Sequence, residues 1–393
     1  MLLNTRRFFV RRHISITMLA LLAMVFAATV SANDSADQSE YIKISKKKLP
    51  KVHGRLGLDA AGYKKDITKM GSGTEISYAR FSLRGDIDPG WSYKLEYDFA
   101  GNGSIKNVWL GYRPKGMDYR IKIGNMIEPI SMDEMTSSAD ISFLERALPN
   151  VFVPSYHLGV TVDGWHSSFY YSAGIYGDTP SANPSNEGNE SYGVSGRMTY
   201  APIETDKAVL HFGMSVAASV PDSTKQGRFR ARPESDLTDV RFVDTGKIND
   251  VSHQAVGGLE TAAMFGPLAL QGEYLKTHVA RNSGADPLEF KGRYAQLSWL
   301  LGDAERSYKR NGTFGNIKPT GDGGVWELAL RYSYLDLNNK DISGGEERNI
   351  TYGINYYFNP ELRLMTNYIK VDARKNGVTE LPEIFTVRMQ ANF

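Results

Sequence analysis

Residues 383–393 read EIFTVRMQANF. Phe385, Val387, Met389, Ala391 and Phe393 stand two apart, with Thr386, Arg388, Gln390 and Asn392 between them. Successive side chains on a strand point to opposite faces, so this is a strand with one oily face and one wet face. The segment alone does not say whether the oily face meets a protein core or lipid.

The same alternation recurs upstream. RFSLRGDI sets Phe81, Leu83 and Ile87 against Arg80, Ser82, Arg84 and Asp86. WELALRYSY sets Trp326, Leu328, Leu330, Tyr332 and Tyr334 against Glu327, Ala329, Arg331 and Ser333. Counted along the chain, such segments start near Gly54, Ile76, Trp91, Lys106, Tyr119, Tyr156, Ser168 and Ser191. Eight more start near Ala208, Gln254, Leu268, Leu288, Val325, Arg348, Leu362 and Ile384. The connectors alternate between tight turns (DIDPG, DGWHS, FGP) and long polar stretches (130–154, 221–253). One breaks the rule: 302–324 is long where a short turn is due.

An even number of antiparallel strands, with short turns at one end and long loops at the other, is the pattern of an outer-membrane barrel. Lipid offers no hydrogen bonds, so a spanning sheet must close on itself. The expected fold is all-β: a transmembrane antiparallel barrel of 16 strands, with short periplasmic turns, longer external loops and the wet face lining an aqueous lumen. Aromatics near strand ends, such as Trp91, Tyr112, Tyr356 and Phe358, suit girdles at the two interfaces.

The N-terminus supports export. Four arginines (Arg6, Arg7, Arg11, Arg12) precede an apolar run over about Ile14–Val30 and the small residues Ser31 and Ala32, which reads as a signal peptide cut after Ala32. The expected organisation is a signal peptide over 1–32, a periplasmic tail over 33–52 and the barrel over 53–393. After Ala32 no stretch approaches the ~20 apolar residues that a spanning helix needs. Net charge is only +2, which does not point to nucleic acid, and without cysteine there is neither a disulfide framework nor a thiolate metal site.

By parity, eleven basic residues face the lumen: Arg55, Arg80, Arg84, Lys94, Arg113, Arg120, Lys122, Arg197, Arg331, Arg363 and Arg388. Seven acidic residues oppose them: Asp59, Asp86, Glu96, Asp98, Glu260, Glu273 and Glu327. Rings of Arg or Lys favour anion passage; the plainer reading is that Arg80, Arg84, Glu96 and Asp98 pair across strands and stiffen the wall. Arg293 falls on the lipid parity. A lipid-facing arginine at mid-membrane costs ~2–4 kcal/mol, so it is expected near an interface, or else the register slips there.

Several stretches resemble the phosphate-selective porin O and P family, in that family's order: GRLGLDAAGY, IGNMIEPISMDEMTSSADISFLERA, LGVTVDG, LLGDAERSYKRNGTFGNIKP, VWELALRYSYLDL and the closing VRMQANF. The resemblance implies a sixteen-stranded, usually trimeric channel whose third external loop, here Ile130–Pro154, folds into the barrel. It implies a pore for small anions, with some members selective for phosphate or pyrophosphate, and phosphate or pyrophosphate is the expected solute here. The substrate-binding residues expected here are Arg80, Arg84, Lys94, Arg120, Lys122 and Arg331, with the serine pair Ser137–Ser138 of the third loop. Arg228, Arg230 and Arg232 of the fifth loop join them. The chain departs from the family where an arginine cluster is expected, at Ser77–Tyr78, and where an aspartate is expected, at Asn107.

Passive diffusion needs no cofactor, metal or catalytic residue. The expected partners are small anions such as phosphate, outer-membrane lipid and lipopolysaccharide, sister subunits of a homotrimer, and the barrel assembly machinery, for which a terminal aromatic such as Phe393 looks like the signal. The rival on the same barrel is a weakly selective diffusion porin. A barrel enzyme would need a nucleophile beside a base. His211 and Ser215 share lumen parity, but His211 reads as a satisfied wall histidine.

Overall fold

The computed structural model describes residues 49–393 apart from 65, 181–188, 283 and 322; the expected signal peptide and most of the tail lie outside the described residues. Sixteen long strands follow one another. They are β1 (Lys51–Lys64), β2 (Gly73–Asp88), β3 (Trp91–Asp98), β4 (Ser104–Tyr112), β5 (Tyr119–Ile127), β6 (Tyr156–His166), β7 (Phe169–Tyr176) and β8 (Tyr192–Glu204). The second half comprises β9 (Ala208–Val220), β10 (Val251–Phe265), β11 (Leu268–Arg281), β12 (Leu288–Leu301), β13 (Val325–Asn339), β14 (Ile342–Tyr357), β15 (Leu362–Lys375) and β16 (Glu383–Asn392). Each pairs antiparallel with the next, and β1 pairs with both β2 and β16, so the sheet is a closed barrel. Closure satisfies the edge groups that a membrane would leave unpaired.

The seam answers the question raised by the closing stretch. Arg55–Lys64 runs against Glu383–Asn392 in unbroken register, and Phe393 exchanges backbone hydrogen bonds with Gly54. The apolar set Phe385, Met389 and Phe393 is exposed, while Thr386, Arg388 and Gln390 are buried inward. Across the barrel Ile175 and Leu259 are exposed by 63% and 60%. The oily face therefore looks outward, as it must where the surroundings are lipid.

All sixteen expected segments are strands. β14 begins at Ile342 rather than near Arg348, because the polar ISGGEE stretch continues the ladder instead of looping away. The walls are uneven: β3–β7 have 8 to 11 residues, β8–β15 have 13 to 16. Arg293 faces outward on β12, opposite Tyr274 and Tyr334, near the loop end of the barrel. It lies 5.2 Å from the Tyr334 ring centre.

Three segments fill the lumen. The third loop, 128–155, carries a single helical turn, Met132–Met135, and the 3-10 turn Leu148–Phe152. The fifth loop, 221–250, contains the two-residue strands Arg230–Ala231 and Val243–Asp244. Phe152, Phe229 and Phe290 meet edge to face and seat both loops on β12. From the turn end comes the irregular connector, a hairpin of Ala304–Lys309 and Thr313–Pro319.

Candidate functional site

Inside the barrel, the cations form two overlapping sets, with Arg388 in both. The first holds the third loop. Arg388 donates to both Asp59 oxygens at 2.6–2.7 Å, to Glu145 and to the Leu144 carbonyl. Arg363 donates to the Ile141 carbonyl, and Arg331 to the Glu145 carbonyl and to Glu234. Wall acids serve the same end. Glu273 accepts from the Met132 and Asp133 backbone N–H groups, and Glu327 from Ser142. A buried loop must have its backbone polar groups paired, and the wall supplies the partners.

The second set faces a cavity of about 630 Å³ between the third loop, the fifth loop and the wall of β1–β4. Ten basic side chains line it: Arg55, Arg80, Lys94, Lys106, Arg146, Arg230, Arg232, Arg241, Lys309 and Arg388. Five acidic ones do: Glu96, Glu134, Glu145, Glu234 and Asp236. Several of these cations are engaged: Arg80 with Asp98 at 2.7 Å, Lys94 with Glu96 at 2.6 Å, Arg146 with Glu134 at 3.0 Å and Lys309 with Asp140. Among the described residues, Arg55, Lys106, Arg230 and Arg241 have no carboxylate in salt-bridge reach. Arg55 instead donates to Ser138 Oγ at 2.8 Å and Ser137 Oγ at 3.0 Å, and Arg80 reaches the same Ser138. On the fifth loop, burial first, then the neighbouring Arg232 and Arg230, hold the Arg241 guanidinium below its ordinary value. Desolvation and crowded like charge act in the same direction there.

Lys106 is the residue that simple alternation misses. The β3–β4 register shifts between Leu95 and Tyr97, leaving Lys106 and Asn107 together opposite Glu96. A bulge of this kind re-aims a side chain. Asn107 donates to Glu96 at 3.0 Å, while the Lys106 ammonium lies 5.3 Å from the Tyr156 ring centre. A second irregularity lies on β2 at Ser77; just past it Tyr78 points inward on the same face as Arg80. Its ring lies between Arg80 and Arg388, at 5.5 and 5.1 Å, and its hydroxyl donates to Gln390. The position that departs from the family's arginine cluster thus separates two cations with an aromatic face.

Of the expected binding residues, Arg80, Lys94, Ser137 and Ser138 line this one cavity. Arg84 is not among its lining residues; it is exposed near the turn end, opposite Lys51 and Lys94. Arg120 and Lys122 share Asp163, at 3.1 and 2.9 Å, outside the cavity. Arg331 is a buried clamp. Of the fifth-loop arginines, Arg230 and Arg232 line the cavity, whereas Arg228 pairs with Asp244.

The hairpin closes the site from the opposite end. Arg197 on β8 donates to Glu260 and to the Asn311 and Gly312 carbonyls at the hairpin tip. His211 bonds Glu260 through Nε2 and the Tyr308 hydroxyl through Nδ1. Its supposed partner Ser215 accepts from the Ser131 backbone instead. His211 is a buried anchor.

A closed barrel with a loop-narrowed, cation-rich lumen is the geometry of a porin. The profile described as "Phosphate-selective porin O and P" matches residues 51–393, the whole barrel. The chain belongs to the phosphate-selective porin O and P family. This porin is similar to Porin O of Pseudomonas aeruginosa, at 26% identity over 95% of this chain and 97% of that protein. An uncharacterized protein of Caulobacter vibrioides is 31% identical over 71% of this chain. The chain spans 58% of that relative's length. Among solved structures, the anion-selective porin from Comamonas acidovorans superposes with TM-score 0.55 at 14% identity, covering 88% of this porin and 99% of that one. The trimer form of OmpT from Vibrio cholerae gives 0.57 at 10% identity, covering 88% and 100%. At such identities the likeness concerns the fold. Family membership makes the protein an outer-membrane channel rather than an enzyme.

Proposed function

We propose that this porin passes small anions by passive diffusion, phosphate or pyrophosphate among them. The observation that carries the reading is the group of cations without carboxylate partners at the cavity, with Arg55 and the Ser137–Ser138 hydroxyls at its centre. An anion entering from the loop side sheds part of its water there. The guanidinium fork of Arg55 and the Lys106 ammonium replace it. A phosphate oxyanion suits the fork better than a halide, because two N–H donors match two oxygens. Exchange with the serines keeps binding weak enough for the ion to leave. No energy source is involved.

The pairing of Arg80, Lys94, Arg146 and Lys309, together with Tyr78 at the arginine position, favours weaker selectivity as the second reading. Single-channel recording separates the two. A reversal potential set by chloride in a potassium chloride gradient, with chloride current blocked as phosphate is added, supports the first. Anion preference without block supports the second. Equal permeability to both ions removes the proposal.

Two further readings go with it. The low wall of β3–β7 suits packing between subunits, which supports a homotrimer; the molar mass of the purified protein in detergent tests it. Export with cleavage after Ala32 is tested by N-terminal sequencing of the membrane form.

A further inference from the structure

The outer surface of the barrel carries a second cationic site, unrelated to the pore. Arg293 on β12 and Arg348 on β14 both stack on one ring, that of Tyr334 on β13, at 5.2 and 5.6 Å. Beside Arg348, an open groove of about 320 Å³ has Tyr332, Ile350 and Leu381 along its apolar side and Arg348 and Lys370 among its polar groups. The neighbouring carboxylates are each held by another group. Glu346 is bonded by Arg348 at 3.1 Å, Asp372 by Arg374 at 3.0 Å and Glu383 by Lys64 at 3.1 Å. Arg293 and Lys370 are left over: among the described residues neither has a carboxylate in salt-bridge reach.

The height of this patch is informative. From Arg293 the outward face of β12 continues through Ala295, Leu297 and Trp299 to Leu301, with no further charge. Eight residues of strand span ~27 Å along its axis. With a tilt of 35–45° that rises about 19–22 Å, most of the ~25 Å apolar band of such barrels. Arg293 therefore marks the edge of the band on the side of the long loops, which is the outer leaflet. Cations at that level, with the apolar side chains of Tyr332 and Ile350 one outward-facing pair nearer the turn end than Arg348, match an amphiphile with a phosphorylated head and acyl chains.

We infer that Arg293, Arg348 and Lys370, with the groove over Tyr332 and Ile350, form a binding site for a phosphorylated glycolipid of the outer leaflet, the lipid A portion of lipopolysaccharide. The guanidinium and ammonium groups take a phosphate of the disaccharide, Tyr334 fixes the two arginines, and an acyl chain follows the groove. The Tyr334 ring brings both arginines to one level; Arg348 is also paired with Glu346, to which the Tyr334 hydroxyl donates, while Arg293 has no carboxylate partner among the described residues.

The test uses the purified, delipidated full-length barrel in detergent, with lipid binding read by native mass spectrometry. On the wild-type protein, diphosphorylated lipid A is expected to bind at least tenfold more tightly than the same lipid with its phosphates removed, and more tightly than phosphatidylglycerol. The triple variant Arg293→Gln, Arg348→Gln, Lys370→Gln should lose that preference, with single-channel conductance unchanged because no substitution touches the lumen. Inorganic phosphate at concentrations that occupy the pore should not displace the lipid. Equal binding of phosphorylated and dephosphorylated lipid by the wild type overturns the proposal without any variant. So does equal binding of phosphatidylglycerol, displacement by inorganic phosphate, or an undiminished preference in the triple variant.

Discussion

The Arg331 guanidinium lies 4.4 Å from the centre of the Phe143 ring, which holds a wall strand against the tip of the third loop. The same side chain donates to Glu234 of the fifth loop at 2.7 Å, so one residue clamps both loops. Arg331→Gln leaves Glu234 buried without its cation, a change that costs about 3–5 kcal/mol in fully buried pairs. The expected result is a looser constriction: larger and noisier single-channel currents, with the anion-to-cation permeability ratio nearly kept. Quiet currents of wild-type size would show that the clamp is not needed.

Glu145 gives the constriction a pH response. Burial first, then the nearby Asp236, lifts its carboxyl well above the ordinary range, against the pull of Arg388. A raised folded-state value means that the proton is taken up earlier in the folded protein than in the unfolded chain. The contribution to stability therefore grows as pH falls through the folded value, and is complete below the unfolded one. Protonation also removes one negative charge from the cavity lining, while Arg388 stays paired with Asp59. Anion selectivity should rise as pH falls from neutral into mild acid, and Glu145→Gln should show the acid-side selectivity at every pH in that window. Reversal potentials measured across the window check both.

The hairpin at 304–319 narrows the exit. Replacing 305–318 by a short flexible turn removes the Lys309–Asp140 pair and the cover that Arg197, His211 and Tyr308 hold in place. Conductance should rise while the barrel remains intact, as judged by heat-modifiable migration on gels. The milder Tyr308→Phe should raise current fluctuations and leave mean conductance near wild type.

The seam makes a prediction about assembly. A Cβ built on Gly54 would run into the Phe393 ring, so a side chain there displaces the closing aromatic from its present place. Gly54→Val and Phe393→Ala should each lower the amount of folded barrel in the membrane. In the double variant the losses should not add, because the ring that the valine displaces is already gone. Strictly additive losses would separate the two residues.

Most of the fold was legible because lipid imposes a simple code. A spanning strand cannot hide its alternation, and WELALRYSY or VRMQANF shows it plainly. The site was less legible. Alternation counts one residue per step, and the bulges at Ser77 and at Lys106–Asn107 break that count where the cavity lies. Lys106 sits on the wrong parity for a lumen residue and is found only in three dimensions. Parity also cannot say which carboxylate a cation meets. Arg331 and Arg55 look alike in sequence, yet one is spent on Glu234 while the other reaches only serines. The hairpin was visible only as a connector of the wrong length.

The central claim is that selectivity rests on the cations without carboxylate partners and not on those that staple the loops. Phosphate block of chloride current, compared between the wild type and Arg55→Gln with Lys106→Gln, tests it most directly. Charged hydrogen bonds of this kind contribute about 1.5–3 kcal/mol each, so the double variant should weaken block by on the order of 10-fold or more and shift the reversal potential toward zero, with conductance little changed. Undiminished block in that variant would contradict the account and move the anion site elsewhere in the lumen.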